Sequence, residues 1–174
     1  MTNQPEASRL AREAIEHWQA GRLQQAKDLY GAALSLADPA HYGLSSYHGE
    51  FACVLNELGE QEEAAKQLSQ SLQVELAQGN AEGSPSVVIA RYFLSEQMLR
   101  LGNSARALEV LLPSVTHAPT DWCTRAAQAR ALFANGQTLE AREAASLAVV
   151  HAPSSRKAEE LKLNLSWAFT EPDA

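Results

Sequence analysis

The chain has 174 residues, 45% of them apolar and 20% charged, with a formal net charge of -7. That mixture belongs to a folded chain rather than a disordered one, and its acidic balance argues against broad contact with a nucleic-acid backbone, which needs clustered Lys and Arg. No apolar run approaches the length of a membrane span, and Glu6, Arg9, Arg12, Glu13 and Glu16 are incompatible with the apolar core of a signal peptide, so the expectation is a cytoplasmic protein with no membrane contact.

Alanine and leucine dominate while β-branched residues are sparse, which predicts helices throughout. Residues 1–6 read as a short disordered arm, with Pro5 placed to enter a helix. After it, helical hairpins are predicted near 7–40, 45–78, 88–119 and 122–153. The last two repeat each other: Gly102, Ala107 and Pro119 return 34 residues later as Gly136, Ala141 and Pro153. A fixed period of this length marks stacked hairpins. The same Gly-to-Ala spacing occurs at Gly21 and Ala26 and at Gly59 and Ala64. Further small residues fall in register, Ala14, Ala52, Ser95 and Ala129 before each turn and Ala33, Ser71, Ser114 and Ala148 after it. Two helices approach most closely where small residues face each other, and glycine supplies the backbone angles that end the first helix.

The spacing is uneven around residues 76–86. There a lengthened helix stopped by Gly79, a polar loop and a new start at Ser84-Pro85 are predicted, making a flexible joint. After Pro153 a capping helix is expected over 154–169, with Ala158, Leu161, Leu165 and Ala168 as its apolar stripe and 170–174 as a tail. Leu163 and Trp167 lie on another face of that helix. Left outside, they would support a weak homodimer; a tilt of the helix would instead tuck Trp167 against the fourth hairpin.

This register resembles the tetratricopeptide repeat family, from about Ala7 to Ala168. The resemblance implies an all-α solenoid of about four TPR-like hairpins with a C-terminal capping helix, one array over 7–168. There are departures. Leu10, His48, Arg91 and Arg125 stand where an aromatic is usual, and Glu13 and Gln128 where a leucine is. In the family, an outward stripe on the first helix of each repeat lines a concave groove that holds a peptide. At i, i+3, i+7 and i+10 this stripe is Ser8, Ala11, Ile15 and Trp18, then Ser46, Gly49, Cys53 and Asn56, then Ile89, Tyr92, Glu96 and Leu99, then Cys123, Ala126, Arg130 and Phe133. Tyr92, Leu99 and Phe133 would anchor an apolar partner, and Glu96 and Arg130 would fix its polarity. The alternative is that these aromatics pack against the next repeat. The positions that clamp chaperone carboxylates in one sub-family are here Ala11, Ile15, Glu50, Ile89 and Phe93, none of which donates a charged hydrogen bond.

No phosphate loop, nucleophile elbow or paired Cys-x-x-Cys occurs, and Cys53 and Cys123 read as reduced thiols outside any metal-ligand spacing. His117 and His151 occupy equivalent turn positions, a structural role. No cofactor, metal or nucleic acid is expected. The reading is a non-catalytic module that binds a peptide or helix of a partner protein. Its alternatives are a secretion-type chaperone for an unfolded substrate, and a small-ligand sensor using the insertion as a lid.

Overall fold

Glycine sets the turns. In the computed structural model, which describes residues 2–170, Gly21, Gly59, Gly102 and Gly136 take φ of 73, 81, 73 and 81°, a region that a Cβ disfavours. At each, the glycine N–H bonds the carbonyl three residues back and the next N–H bonds the carbonyl five back. Gly59 N to Asn56 O spans 3.0 Å, and Glu60 N to Leu55 O spans 2.8 Å. The last free carbonyls of the helix are thereby satisfied, and the chain reverses into the next helix.

The helices are α1 (Gln4–Gln19), α2 (Leu23–Leu36), α3 (Leu44–Glu57), α4 (Gln61–Ala77), α5 (Pro85–Arg100), α6 (Ser104–His117), α7 (Trp122–Ala134), α8 (Thr138–Val150) and α9 (Ser155–Asn164), followed by a 3-10 turn at Ser166–Ala168. No strand occurs among the described residues. The small residues singled out by the register are all buried, none more than 6% exposed. They form the seams along which α1 packs on α2, α3 on α4, α5 on α6 and α7 on α8. Bulkier side chains fill the remaining volume, Tyr30, Leu55, Leu68, Leu111 and Leu132 among them.

The expected single array divides inside its insertion. One compact unit reaches to Ala81 and contains α1–α4; the other begins at Glu82 and contains α5–α9. The insertion itself is anchored rather than loose. Gly79 closes α4 with φ 83°, and Asn80 Nδ2 donates to Glu75 Oε2 at 2.7 Å. Beyond the division, Glu82 holds Arg91, and Ser84 and Pro85 open α5 in extended and first-turn positions as the sequence predicts.

Both ends need correction. Within 1–6, residues from Gln4 onward are helical, because Asn3 caps α1 by accepting from Glu6 N at 3.3 Å and Gln4 Oε1 takes the Asp38 N–H at 2.8 Å. Met1 lies outside the described residues. At the other end the capping helix stops at Asn164, not 169, and the chain tightens into the 3-10 turn. Ser154 caps it, and Leu161, Leu165 and Ala168 cover the core made by Ala126, Leu132, Ala144 and Ala148. That tightening turns Trp167 inward. Its ring stacks on Phe133 with centroids 4.1 Å apart, which is the second of the two arrangements expected for it, while Leu163 stays 76% exposed. Residues 171–174 of the expected tail lie outside the described residues.

Candidate functional site

In the first unit, the outward stripe runs along α1 and α3. Ala11 is buried at 2% and lines no surface, which corrects its assignment to a groove. An alanine there sits against the neighbouring helix, since one side chain short of solvent cannot reach a ligand. Ile15, Gly49 and Asn56 are half-buried and Cys53 is exposed. The stripe is bridged at both ends. Trp18 Nε1 donates to Glu57 Oε1 at 2.8 Å, and the Tyr47 hydroxyl donates to Ser8 Oγ at 3.0 Å. Between α2 and α3, the buried Tyr30 hydroxyl donates to Glu50 Oε2 at 3.0 Å. Burial raises the Glu50 carboxyl above the usual carboxylate range, and the Tyr30 bond lowers it.

In the second unit, α5 and α7 carry the stripe. Ala126, like Ala11, is buried at 2% and is likewise corrected. Glu96 and Arg130 meet across the two helices, with Arg130 Nη2 2.7 Å from Glu96 Oε1. Both are half-buried, so their charges satisfy each other rather than awaiting a ligand. Tyr92 and Leu99 are half-buried. Burial is the main cause holding the Tyr92 phenol above its usual range, followed by the Glu96 charge. Phe133 presents one face to solvent and gives the other to Trp167.

At the N-terminal end of this stripe the structure opens a cavity of about 600 Å³, lined mainly by Pro85, Val88, Ile89, Tyr92, Asp121 and Cys123. Its wall is set by the residues before α5. Arg91, only 8% exposed, donates from Nε and Nη2 to the two oxygens of Glu82 at 2.8 and 2.7 Å, and from Nη1 to Val110 O at 3.1 Å. Gly83 lies so near the α6 terminus that a Cβ there would stand 2.8 Å from His117 O. Any larger residue would push the segment off α6 and deform the wall.

Of the stripe residues, the structure brings Ile89, Tyr92 and Cys123 to this cavity and joins Glu96 to Arg130, while Leu99 and Phe133 lie further along the same helices. The strap at Glu82 and Gly83 and the rim at Asp121 escaped sequence reasoning. A signal existed for the first. Arg91 replaces an aromatic at a core register position, and a buried guanidinium demands a carboxylate, which the insertion supplies nine residues earlier.

Chemically the site offers little. Asp121 Oδ2 accepts the Thr124 N–H at 2.7 Å as the cap of α7. The Cys123 thiol is pushed up to about 11, first by burial and then by the Asp121 charge, so it stays protonated at neutral pH. Among the described residues no group of three His, Cys, Asp or Glu side chains is placed to hold a metal ion.

No protein-family model and no curated protein matches the sequence. Solved structures do match. The nearly identical TPR-like repeats of a Podosopora anserina protein described as a kinesin light chain superpose with a TM-score of 0.74 at 21% identity, over 97% of this chain and 89% of that one. The fold is TPR-like. Residues 41 to the end of MamA from Desulfovibrio magneticus align over 97% of this TPR-like chain and 98% of their own, with a TM-score of 0.67 and 17% identity. BtubC from P. vanneervenii aligns over 95% and 78%, with a TM-score of 0.73 and 16% identity. At these identities the likeness speaks for the fold. No helix among the described residues is long and apolar enough to cross a membrane.

Proposed function

We propose that this TPR-like chain is a non-catalytic module that holds a peptide segment of a partner protein against the α5–α7 face. The observation that carries the reading is the cavity beside Tyr92, which opens on the α5–α7 face of the second unit. Ile89 and Phe93 extend the apolar area along α5, at 42% and 49% exposure. Exposed apolar area next to a preformed cavity is what a protein segment fills, with an aromatic as its anchor. A small-ligand sensor would need several polar groups converging on the cavity, whereas Asp121 is its single charged lining residue and is already a helix cap.

Peptides selected from a random library on the intact chain test this. Their binding should fall roughly 30-fold on Tyr92→Ser, an anchor truncation of about 2 kcal/mol, with helical content unchanged. Leu139→Ser, which alters an exposed leucine of α8, should leave it intact. Selected peptides that bind the Tyr92→Ser chain as well as the parent overturn the reading.

A further inference from the structure

We infer that the cavity between Tyr92 and Asp121 is a subsite for one arginine side chain of the bound segment. This rests on the function proposed above and adds to it the chemistry of the residue bound.

The argument begins with charges already spent. Glu82 is neutralised by Arg91 and Glu96 by Arg130, each at 2.7 Å. Lys157, which lies over the Trp122 ring, pairs with Glu160 at 2.6 Å. Asp121 is therefore the carboxylate lining the cavity, and among the described residues no cation forms a salt bridge with it. Its Oδ2 serves Thr124 N, and its Oδ1 remains for an incoming donor. The positive end of α7 offsets part of that charge, so the attraction is modest and local.

The remaining lining decides among occupants. Pro85, Val88, Ile89 and Tyr92 offer apolar surface to an aliphatic stem. An acidic side chain would meet Asp121 with like charge. A leucine would fill space but strip water from Asp121 Oδ1 without replacing it, which costs free energy. A lysine ammonium supplies charge but sheds its water reluctantly. A guanidinium is planar and weakly hydrated, so it can lie against the Tyr92 ring while donating to the carboxylate. At the Cys123 thiol, beside the larger effect of burial, the Asp121 charge acts upward and the Lys157 and Arg130 charges act downward, so the carboxylate's attraction for a cation is local to its own side of the cavity. The strap at Glu82 and Gly83 holds the wall in place beforehand, so little ordering is lost on binding.

The test titrates the intact chain, by amide NMR, with N-acetyl-arginine amide and with its neutral isostere N-acetyl-citrulline amide. The arginine probe should shift the amides of Val88, Ile89, Tyr92 and Cys123 saturably. Asp121→Asn keeps the α7 cap, since asparagine caps as well as aspartate, but removes the charge. It should weaken the arginine probe about fivefold, the scale of one exposed ion pair, and leave the citrulline probe unchanged. Raised salt should act in the same direction on the parent. Equal binding of the two probes, or arginine shifts that map elsewhere or do not occur, overturns the inference. None of those results bears on the peptide reading, which stands or falls with Tyr92→Ser.

Discussion

The two units are built from the same hairpin and use it differently. In the first, the α1–α3 stripe is tied down by Trp18 on Glu57 and Tyr47 on Ser8. In the second, the α5–α7 stripe keeps a cavity open, and its ties sit at the edges: Arg91 on Glu82, Arg130 on Glu96, Trp167 on Phe133. Charge follows the same division. Residues 1–81 hold eleven Asp and Glu against five Lys and Arg, while 82–174 hold ten against nine. The first unit therefore carries most of the net negative charge, and the second is nearly balanced. A repeat fold fixes where helices go; which face stays open is decided by a few side chains outside the repeat pattern.

The ion pairs break this comparison most sharply. Arg91→Ala should cost the second unit about 1–3 kcal/mol, because it leaves the Val110 carbonyl without its donor and Glu82, a third exposed, without its partner. Lys27→Ala, which removes the more exposed pair with Glu60 in the first unit, should cost less than about 1 kcal/mol. Thermal unfolding of both variants checks the contrast, and similar losses would erase it. The shared seams come next. Ala26→Leu and Ala64→Leu in one unit, and Ala107→Leu and Ala141→Leu in the other, should each cost about 1–3 kcal/mol by overpacking. Parent-like melting of all four would mean that the register is wrong.

A smaller loss, about 1–2 kcal/mol, is expected from Trp167→Ser, which removes an aromatic stack and exposes the second face of Phe133. Sedimentation should be the same for that variant and the parent, since Trp167 is used within the chain. The smallest effect is a pH dependence confined to the first unit. His48 donates from Nδ1 to Gln67 Oε1 at 2.7 Å, and burial holds its imidazole below the ordinary value of about 6.5. Above that value folded and unfolded chains are both neutral there. As pH falls through it the unfolded chain takes the proton first, so stability declines. Glu50, raised by burial, works in the opposite sense, being least costly when protonated at low pH. His48→Gln should therefore flatten the fall in melting temperature between pH 7.5 and 5.5, a slope read by calorimetry.

How far the sequence could be read follows from what each feature depends on. The turns and seams were legible because they need one residue type at one spacing, as at Gly59 and Ala64. The stripe was legible in outline but not in exposure. Ala11 and Ala126 share a helical angle with Ile15 and Arg130, yet a short side chain at that angle ends inside the seam. Asn3 and Gln4 were misread because their partners, Leu36 O and Asp38 N, lie more than thirty residues away. Of the two outcomes that the sequence leaves open for Trp167, the tuck against the fourth hairpin is the one found, because the backbone changes pitch after Asn164.

The reversals at Gly21, Gly59, Gly102 and Gly136 are made by backbone groups alone. Together with the small residues of the seams they carry the architecture on a minor fraction of the chain, and the remaining positions are free to drift. A fold specified by so few positions can be reached by very different sequences. Structures only 16–21% identical accordingly overlay nearly all of it, while no family model matches it.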